Sequence, residues 1–277
     1  MSQSITACLV VYNEEDVIQR CLESLLGVVD EIVVVHDGEC MDRTLEICRT
    51  YTDKVFVRPR IGVADPHRPF CFEQATGDWI LLMDADELLS QELRVNLREL
   101  VEDKGVDLYA FLWPYTDGQR ILHNLGHPYR RCLARRTKMY FYGMPEEVIR
   151  TNGLIKYVPF EVEHRPLYNN YTWSRLRHKS LPWASLLAQW VWKKPNEISY
   201  YGVEDGQQFV EYLADYRRNA LFKAIREFPM QFGRQLYRGL WKGGVLGFKV
   251  AFLSAVFRAS IFYYIFKLNL RNSHREE

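Results

Sequence analysis

The chain of 277 residues is 48% hydrophobic and 14% aromatic, which suits one large folded domain or a domain with an appendage and argues against extended disorder. Lysine and arginine total 36 against 35 aspartate and glutamate, so we do not expect nucleic-acid binding by bulk charge attraction. The six cysteines form no C-x-x-C pair, which predicts reduced core residues of a cytoplasmic protein and no zinc site. The first residues lack a basic region, so no secretory signal is expected.

Apolar runs and amphipathic segments alternate along the first 90 residues. The sequence predicts strands at 5–11, 31–38, 54–60 and 79–87, helices at 13–27 and 41–51, and a short helix with a loop at 65–77. This alternation predicts an α/β fold with a mostly parallel, doubly wound sheet and helices on both faces. In such sheets, ligands bind at the carboxyl ends of the strands.

Polar side chains follow each of the four predicted strands. The clusters are Asn13 with Glu14, Asp37, Arg58 with Arg60, and Asp84 with Asp86. Because the carboxyl ends of parallel strands meet at one edge of a sheet, a single pocket accounts for all four clusters.

The segment WILLMDADE ends an apolar run on clustered carboxylates. In a continuous strand Asp84 and Asp86 would point to the same side, where two like charges repel each other. A divalent cation with a preference for oxygen ligands would compensate them. A solvated strand end or a helix cap is the alternative interpretation.

The chain lacks the usual phosphate-binding glycine motifs. Neither G-x-G-x-x-G nor G-x-x-x-x-G-K-[ST] occurs, which disfavours a dinucleotide-binding dehydrogenase and a P-loop enzyme. A cation that bridges phosphate oxygens would neutralise both a diphosphate and the aspartates. These observations together favour a nucleotide diphosphate as the ligand.

Three segments carry a resemblance to a known family. They are VVYNEEDVIQRCLESL, VVVHDGECMDRTLEI and GDWILLMDADE, in this order. Over residues 4–165 the chain resembles a family 2 glycosyltransferase with the GT-A fold. The resemblance implies an inverting enzyme that uses Mg²⁺ or Mn²⁺ and transfers a sugar from a nucleotide-diphosphate sugar to a hydroxyl of a glycan or lipid-linked acceptor.

The resemblance also implies roles for individual residues. The nucleotide sugar is expected to contact Val11, Tyr12, Glu14, Asp37, Asp65, Arg68 and Asp84. The cation is expected to be held by Asp84 and Asp86 of the D-x-D motif and by His164. The family usually ends its second strand with two acidic residues, whereas this chain has His36 and Asp37.

Some of these residues also have ordinary structural interpretations. Glu14 suits the first turn of a helix, and Asp37 suits a turn before a glycine. Arg68 could form a surface ion pair, and a lone histidine such as His164 is more often structural than a ligand.

Sugar transfer to a hydroxyl by direct displacement needs a general base near the acceptor oxygen. The segment RRCLARRTKMYFYGMPEEVIR resembles the part of the family in which an arginine-rich strand leads through a glycine to a catalytic glutamate. On that pattern we expect Glu147 to be the base, with Glu146 as the second candidate. An acidic pair that begins a helix after Pro145 is the structural alternative.

The composition changes near residue 170, which predicts a GT-A domain over residues 1–170 and a helical region over 171–277. The segment 228–251 resembles a region of enzymes that build lipopolysaccharide core or other lipid-linked glycans, although Val245, Leu246 and Gly247 replace the usual Asp-Gly. Residues 244–271 are apolar, but Lys249, Arg258 and Lys267 interrupt them too often for a simple transmembrane helix.

Two interpretations of residues 244–271 therefore stay open. The helix could pack on protein, or it could lie on an anionic membrane surface with Arg234, Arg238 and Lys242 among the headgroups. The second interpretation predicts a cytoplasmic enzyme bound peripherally at the inner face of the membrane.

Other functions fit the sequence less well. A glycoside hydrolase would also use two carboxylates but would require no metal. A sugar nucleotidyltransferase is the alternative among metal-dependent enzymes, although its first loop would be rich in glycine and arginine, unlike VVYNEE. A non-catalytic protein that binds nucleotide sugars or glycans on a GT-A fold is the remaining alternative, and the intact Asp84, Asp86 and Glu147 weigh against it.

Overall fold

A computed structural model describes residues 2–118, 121–122, 125–203 and 206–273. The chain forms two compact units, each made of segments that are separate in sequence. Unit 1 comprises residues 1–114, 128–167 and 199–203, and unit 2 comprises residues 115–127, 168–198 and 204–277. The predicted division at residue 170 falls near the change of unit after residue 167, but each unit also includes segments from the other side of that point.

Unit 1 contains all the strands and the first four α-helices of the described chain. The strands are β1 (Ile5–Val11), β2 (Glu31–Asp37), β3 (Val55–Arg58), β4 (Trp79–Met83), β5 (Glu87–Leu89), β6 (Leu108–Leu112), β7 (Tyr129–Arg135), β8 (Met139–Tyr142), β9 (Arg150–Thr151), β10 (Ile155–His164) and β11 (Tyr200–Tyr201). The helices are α1 (Ile18–Leu25), α2 (Thr44–Arg49), α3 (Arg68–Gln74) and α4 (Gln91–Glu102), with a 3₁₀ turn at Asp65–His67.

An eight-stranded sheet forms the centre of unit 1, in the order β3-β2-β1-β4-β7-β6-β10-β5. Strands β3, β2, β1 and β4 are parallel to one another, and β6 is parallel to β10. Strand β7 runs antiparallel between β4 and β6. Every residue of β1 and β4 is buried, because apolar side chains on both faces of these strands pack into one core. The predicted α/β class with a mostly parallel sheet is confirmed.

The predicted strands agree with the observed ones, but two details differ. The first helix begins at Ile18, because the segment after β1 forms turns. Strand β4 ends at Met83, so Asp84 and Asp86 lie in the turn before β5 and not in a strand. The same-side argument from strand alternation was therefore wrong for these two aspartates.

Unit 2 is helical in the described residues. Its helices are α5 (Trp173–Arg175), a π-helical stretch at Leu176–Ser180, α6 (Leu181–Val191), α7 (Gly206–Arg217), α8 (Ala220–Tyr237) and α9 (Gly244–Ser273). Helix α9 packs against α6 and α8, and its inner face includes Val250, Ala251, Ile261 and Ile265. By length and composition alone, the helical segment Leu240–Asn272 could cross a membrane, and 39% of its most apolar window is buried in the structure. A core helix of a soluble protein would meet the same criteria.

Candidate active site

Asp37 ends β2 in a buried position where four donors converge on its carboxylate. Oδ1 accepts from the Ile61 backbone at 2.6 Å and lies 2.9 Å from His67 Nε2. Oδ2 accepts from the Gly62 backbone at 2.8 Å and from Arg60 at 2.5 Å. Burial acts to raise the pKa of Asp37, but these hydrogen bonds and the Arg60 charge outweigh it and lower the pKa. The carboxylate therefore fixes the loop that follows β3.

The loop after β1 lies beside the same arginine. The Arg60 guanidinium carbon sits 3.3 Å from the centre of the Tyr12 ring, a cation–π contact. Val11 is buried at the end of β1, and the half-buried Glu14 anchors its loop through a backbone donation to Thr44 Oγ1 at 2.6 Å. Two of the predicted nucleoside-binding residues, Tyr12 and Asp37, thus contact the same cation, Arg60.

Asp84 is neutralised by two arginines. Its Oδ1 accepts from Arg68 at 2.9 Å, and its Oδ2 accepts from Arg130 at 2.8 Å. Burial acts to raise the pKa of Asp84, but the charges of Arg130 and Arg68 hold it well below its usual range. The sequence suggests a divalent cation as compensation for this carboxylate, and the fold supplies two guanidinium groups that also compensate it.

These contacts belong to a chain of alternating charges that runs through the site. Arg68 also pairs with Asp65 at 2.8 Å, and Arg130 also pairs with Glu87 at 2.6 Å. The order Asp65, Arg68, Asp84, Arg130 and Glu87 places a cation between each pair of carboxylates. Burial raises the pKa of Asp65 to about 6, although the Arg68 charge opposes the shift.

Glu87 fixes the shape of the turn that carries the two aspartates. It is fully buried, and its Oε2 accepts from the Asp84 backbone at 2.9 Å. Its Oε1 accepts from Trp113 Nε1 at 2.6 Å in addition to its ion pair with Arg130. Burial raises the pKa of Glu87 to about 7, against the pull of the Arg130 charge. The third acidic residue of DADE is thus a structural anchor with three donors.

Asp86 and His164 face each other across the same turn. His164 Nε2 lies 3.1 Å from Asp86 Oδ2, and β10 pairs His164 with Glu87 in its strand register. The imidazole stacks on Trp113, with ring centres 4.4 Å apart and planes 19° from parallel, which fixes its orientation. Among the residues that the structure describes, no group of three or more His, Cys, Asp or Glu side chains is arranged to hold a metal ion. Of the three predicted cation ligands, Asp86 and His164 thus contact each other, whereas both carboxylate oxygens of Asp84 face arginines.

The two candidate bases differ in exposure and backbone conformation. Glu147 is buried, and its Oε1 accepts from Arg150 at 2.8 and 2.9 Å and from the Val148 backbone at 3.1 Å. Glu146 is exposed and has φ of +65°, a left-handed conformation that is costly for a residue other than glycine. The Glu146 backbone N–H donates to the Asp65 carboxylate, which ties this segment to the charge chain.

The segment 65–68 connects the predicted residues of β2 with those of the turn after β4. Within it, His67 contacts Asp37, and the next residue, Arg68, binds Asp84. Sequence reasoning placed Arg60 among the strand-end clusters but missed His67, Glu87, Trp113 and Arg130, which hold the predicted residues in place. Glu87 had a local signal, because it lies in the same acidic run as Asp84, but Trp113 and Arg130 reach the site only through the pairing of distant strands.

Comparison with known proteins identifies relatives of this chain. The family described as Glycosyl transferase family 2 matches residues 6–160. This match and the sheet described above confirm the predicted GT-A fold. An uncharacterized glycosyltransferase of Rickettsia typhi is 35% identical over 107 residues, which cover 39% of this chain and 36% of that protein. Five such rickettsial proteins match over 36–47% of their own length, so the chain spans less than half of these relatives.

A longer match is the lipopolysaccharide core biosynthesis glycosyltransferase LpsC of Rhizobium meliloti. It is 28% identical over 262 residues, which cover 91% of this chain and 88% of that protein. Among solved structures, the glucosyl-3-phosphoglycerate synthase of Mycobacterium tuberculosis in complex with Mg²⁺ and UDP is 19% identical. The match covers 50% of this chain and 59% of that protein's chain, with a TM-score of 0.38.

Proposed function

Because the chain belongs to glycosyl transferase family 2, we propose that it transfers a sugar from a nucleotide-diphosphate sugar to a hydroxyl of a glycan or lipid-linked acceptor, with inversion. The observation that carries the proposal is the convergence of Asp37, Asp84 and Asp86, at the carboxyl ends of the two strands that flank β1, with Arg68 at the start of α3. This edge of the sheet is where α/β folds bind nucleotides.

A divalent cation, Mg²⁺ or Mn²⁺, fits the donor set of the turn after β4. Asp86 and His164 would hold it, with Asp84 beside them, and the Trp113 stack keeps the imidazole aimed at Asp86. Two protein donors suit a cation that completes its shell with diphosphate oxygens and water. When bound, the cation would neutralise the negative charge that develops on the leaving diphosphate.

Arg68 and Arg130 are the proposed protein contacts of the diphosphate. Both guanidinium groups already face a carboxylate oxygen of Asp84, and guanidinium geometry matches phosphate as well as carboxylate. Arg68 Nε is buried and has no hydrogen-bond partner among the described residues, a donor that an anionic ligand could use. Asp65 holds Arg68 in place from the other side.

The nucleoside is proposed to lie against Val11, Tyr12 and Glu14, beside Asp37. A carboxylate offers about four acceptor positions, and the four donors around Asp37 can use them all. A direct contact from Asp37 to the base would have to displace one of these donors. We therefore assign to Asp37 the shaping of the loop that carries Arg60, in addition to the predicted nucleoside contact.

Glu147 is the proposed general base, and Glu146 is the alternative. The base must accept the proton of the acceptor hydroxyl as the new glycosidic bond forms and the bond to the diphosphate breaks. Arg150 pairs with the Glu147 carboxylate and fixes the position of its side chain. Glu146 has greater exposure but a strained backbone, so mutagenesis must separate the two.

The acceptor is proposed to be a lipid-linked glycan of the kind built in lipopolysaccharide core biosynthesis. Support comes from the LpsC relative, whose match extends over both units of this chain. The six cysteines are all free, in keeping with the proposed cytoplasmic location, and the basic helical unit supports peripheral association with the membrane.

A thermal-shift panel of nucleoside diphosphates and sugar nucleotides, with and without Mg²⁺ or Mn²⁺, tests the proposal. A ligand at 100 times its Kd should stabilise the folded protein by about 2.7 kcal/mol. We expect one nucleotide to give a shift that needs the metal, and we expect its sugar conjugate to be consumed when a glycan acceptor is added. Release of pyrophosphate from a sugar phosphate and a nucleoside triphosphate would instead indicate a nucleotidyltransferase.

A further inference from the structure

The junction of α8 and α9 exposes large apolar side chains to solvent. We call residues 234–248 the corner; it includes the end of α8, a 3₁₀ turn at Leu240–Gly243 and the start of α9. Tyr237, Trp241 and Val245 are spaced four residues apart and are 91%, 57% and 88% exposed. Phe248 continues this exposed set and is 46% exposed. Side chains of this size in this setting mark an interaction surface.

Basic side chains alternate with the apolar ones along the corner. Arg234, Arg238 and Lys242 follow the same four-residue spacing, and all three are exposed. No ion pair within 4 Å involves any of them among the residues that the structure describes. Their charges are therefore directed to solvent or to a partner and not neutralised by nearby carboxylates.

The surrounding sequence contains no negative charge. Residues 228–273 include seven Lys and Arg but no Asp or Glu, although the whole chain is nearly neutral. Such a run of basic and aromatic residues repels a basic partner and attracts a surface that is anionic and apolar at once. A bilayer with anionic headgroups has both properties.

The corner is a fixed structure. Leu240 is fully buried in the core that includes Leu125 and Val250, while Arg238 and Trp241 beside it in sequence are exposed. Gly239 has φ of +105°, and a side-chain carbon on Gly126 would lie 1.5 Å from the Arg238 carbonyl oxygen. The backbone of the corner is thus packed tightly from inside, which presents the exposed side chains without the entropic cost of ordering a loop.

We propose that the corner is a docking site for an anionic lipid bilayer. Trp241, Tyr237 and Val245 enter the headgroup boundary, and Arg234, Arg238 and Lys242 bind lipid phosphates. The proposal rests on the proposed function in one respect, the lipid-linked acceptor. It also places the membrane contact at one end of α9, since the middle of that helix uses Val250, Ala251 and Ile261 to pack within unit 2.

Sedimentation with lipid vesicles tests the docking site without any donor or acceptor, so its outcome is independent of catalysis. The full chain should bind vesicles that contain phosphatidylglycerol, bind pure phosphatidylcholine weakly, and be released by 0.5 M salt because salt screens the headgroups. The pair Arg238→Gln and Lys242→Gln should weaken binding by roughly 30-fold, at about 1 kcal/mol for each charge. Trp241→Ala should weaken it by roughly 10-fold.

A matched control removes two charges from the same acid-free segment. Lys267 and Arg271 are exposed near the far end of α9, about 35 Å from the start of the helix, so the pair Lys267→Gln and Arg271→Gln should leave binding within about twofold. Equal losses in both pairs would overturn the corner as the docking site, as would a wild-type chain that ignores anionic vesicles. Membrane-bound protein that resists both salt and alkaline washing would overturn peripheral docking in favour of a spanning α9.

A second copy of the chain is the other occupant that an apolar corner could bind. Analytical ultracentrifugation without lipid separates the two. A self-association that Trp241→Ala abolishes, together with unchanged vesicle binding, would overturn the lipid proposal.

Discussion

The two compact units differ in charge, in buried chemistry and in the side chains that face solvent. Unit 1 contains 18 Lys and Arg against 26 Asp and Glu, a net charge of −8. Unit 2 contains 18 Lys and Arg against 9 Asp and Glu, a net charge of +9. The near neutrality of the whole chain therefore hides two units of opposite sign. A composition argument applied to the whole sequence could not detect this division.

The difference lies in the setting of the charges as well as in their number. In unit 1, carboxylates and guanidinium groups alternate from Asp65 to Glu87, where each charge has a partner; Asp65, Arg68 and Glu87 are buried, and Asp84 and Arg130 are half-buried. In unit 2, cations such as Arg238 and Lys242 alternate with exposed aromatic residues. Unit 1 thus uses charge to shape a site, and unit 2 presents charge to its surroundings.

The largest expected effect comes from breaking the row of alternating charges from Asp65 to Glu87. Arg130→Met leaves Asp84 and Glu87 without their shared cation, and loss of one partner of a buried ion pair costs about 3–5 kcal/mol. We expect the free energy of unfolding in urea to fall by that amount. All six cysteines lie in unit 1, and reaction of the five buried ones, all except Cys40, reports the unfolding of that unit.

Arg131→Met is the matched control, because Arg131 is the next residue of β7 and its hydrogen bond goes to the Tyr157 hydroxyl at 3.3 Å. It should cost less than about 1 kcal/mol. Five of the seven tryptophans lie in unit 2, so their fluorescence follows that unit. If the fluorescence and thiol transitions shift equally in Arg130→Met, the two units unfold in one cooperative step.

The second prediction concerns the base. Glu147→Gln should keep donor binding but lower sugar transfer by about 100-fold or more, the scale of a lost general base. Glu146→Gln should be milder and should keep the φ of +65°. Rates measured with saturating donor give the comparison. A larger loss of transfer rate in Glu146→Gln would assign the general base to Glu146. Full activity in both variants would show that neither glutamate is the base.

The third prediction separates the two aspartates of the D-x-D motif. Asp86→Asn should abolish the metal-dependent part of the nucleotide thermal shift, about 2.7 kcal/mol at 100 times Kd, with little change in the stability of the free protein. Asp84→Asn should also lower that stability, because it removes the shared partner of Arg68 and Arg130. If both variants retain a metal-dependent shift, the cation does not bind at this turn.

The smallest expected effect is a pH dependence that originates in unit 1. Burial raises the pKa of the Cys48 thiol to about 12, so above the unfolded value of about 8.5 the thiol ionises in the unfolded chain first. The contribution of the Cys48 thiol to the free energy of unfolding is thus fully present below pH 8.5. It is lost as pH rises towards 12, at about 1.4 kcal/mol per pH unit. Between pH 9 and 10, the free energy of unfolding in urea should fall less steeply with pH in Cys48→Ala than in the unmodified protein, by that amount. Between pH 6.5 and 7.5 the two slopes should coincide, and a difference there would contradict the assignment.

The local parts of unit 1 could be predicted from sequence. Strands β1, β2 and β4 are apolar runs with polar residues at their ends, so Asp37 and Asp84 were identified before the fold was known. Arg130 and Trp113 could not be identified, because they reach the site through β7 and the end of β6, and periodicity does not say which strands become neighbours. The partners of Asp84 therefore required the structure, and so did the division of α9 into a packed middle and an exposed start.

The pairing of β10 with β5 has a consequence for how the protein folds. Residues 162–164 pair with residues 87–89 across more than 70 intervening positions, so this contact must overcome a large loop-closure entropy. Strands β1, β2 and β3 are close in sequence and can pair early, whereas the turn with Asp86 is complete only after His164 is in place. During synthesis, a chain stalled before residue 164 would contain β1, β2 and β4 but not the proposed cation site. If the cation binds as proposed, metal binding should therefore appear late in refolding, after most of the native secondary structure has formed.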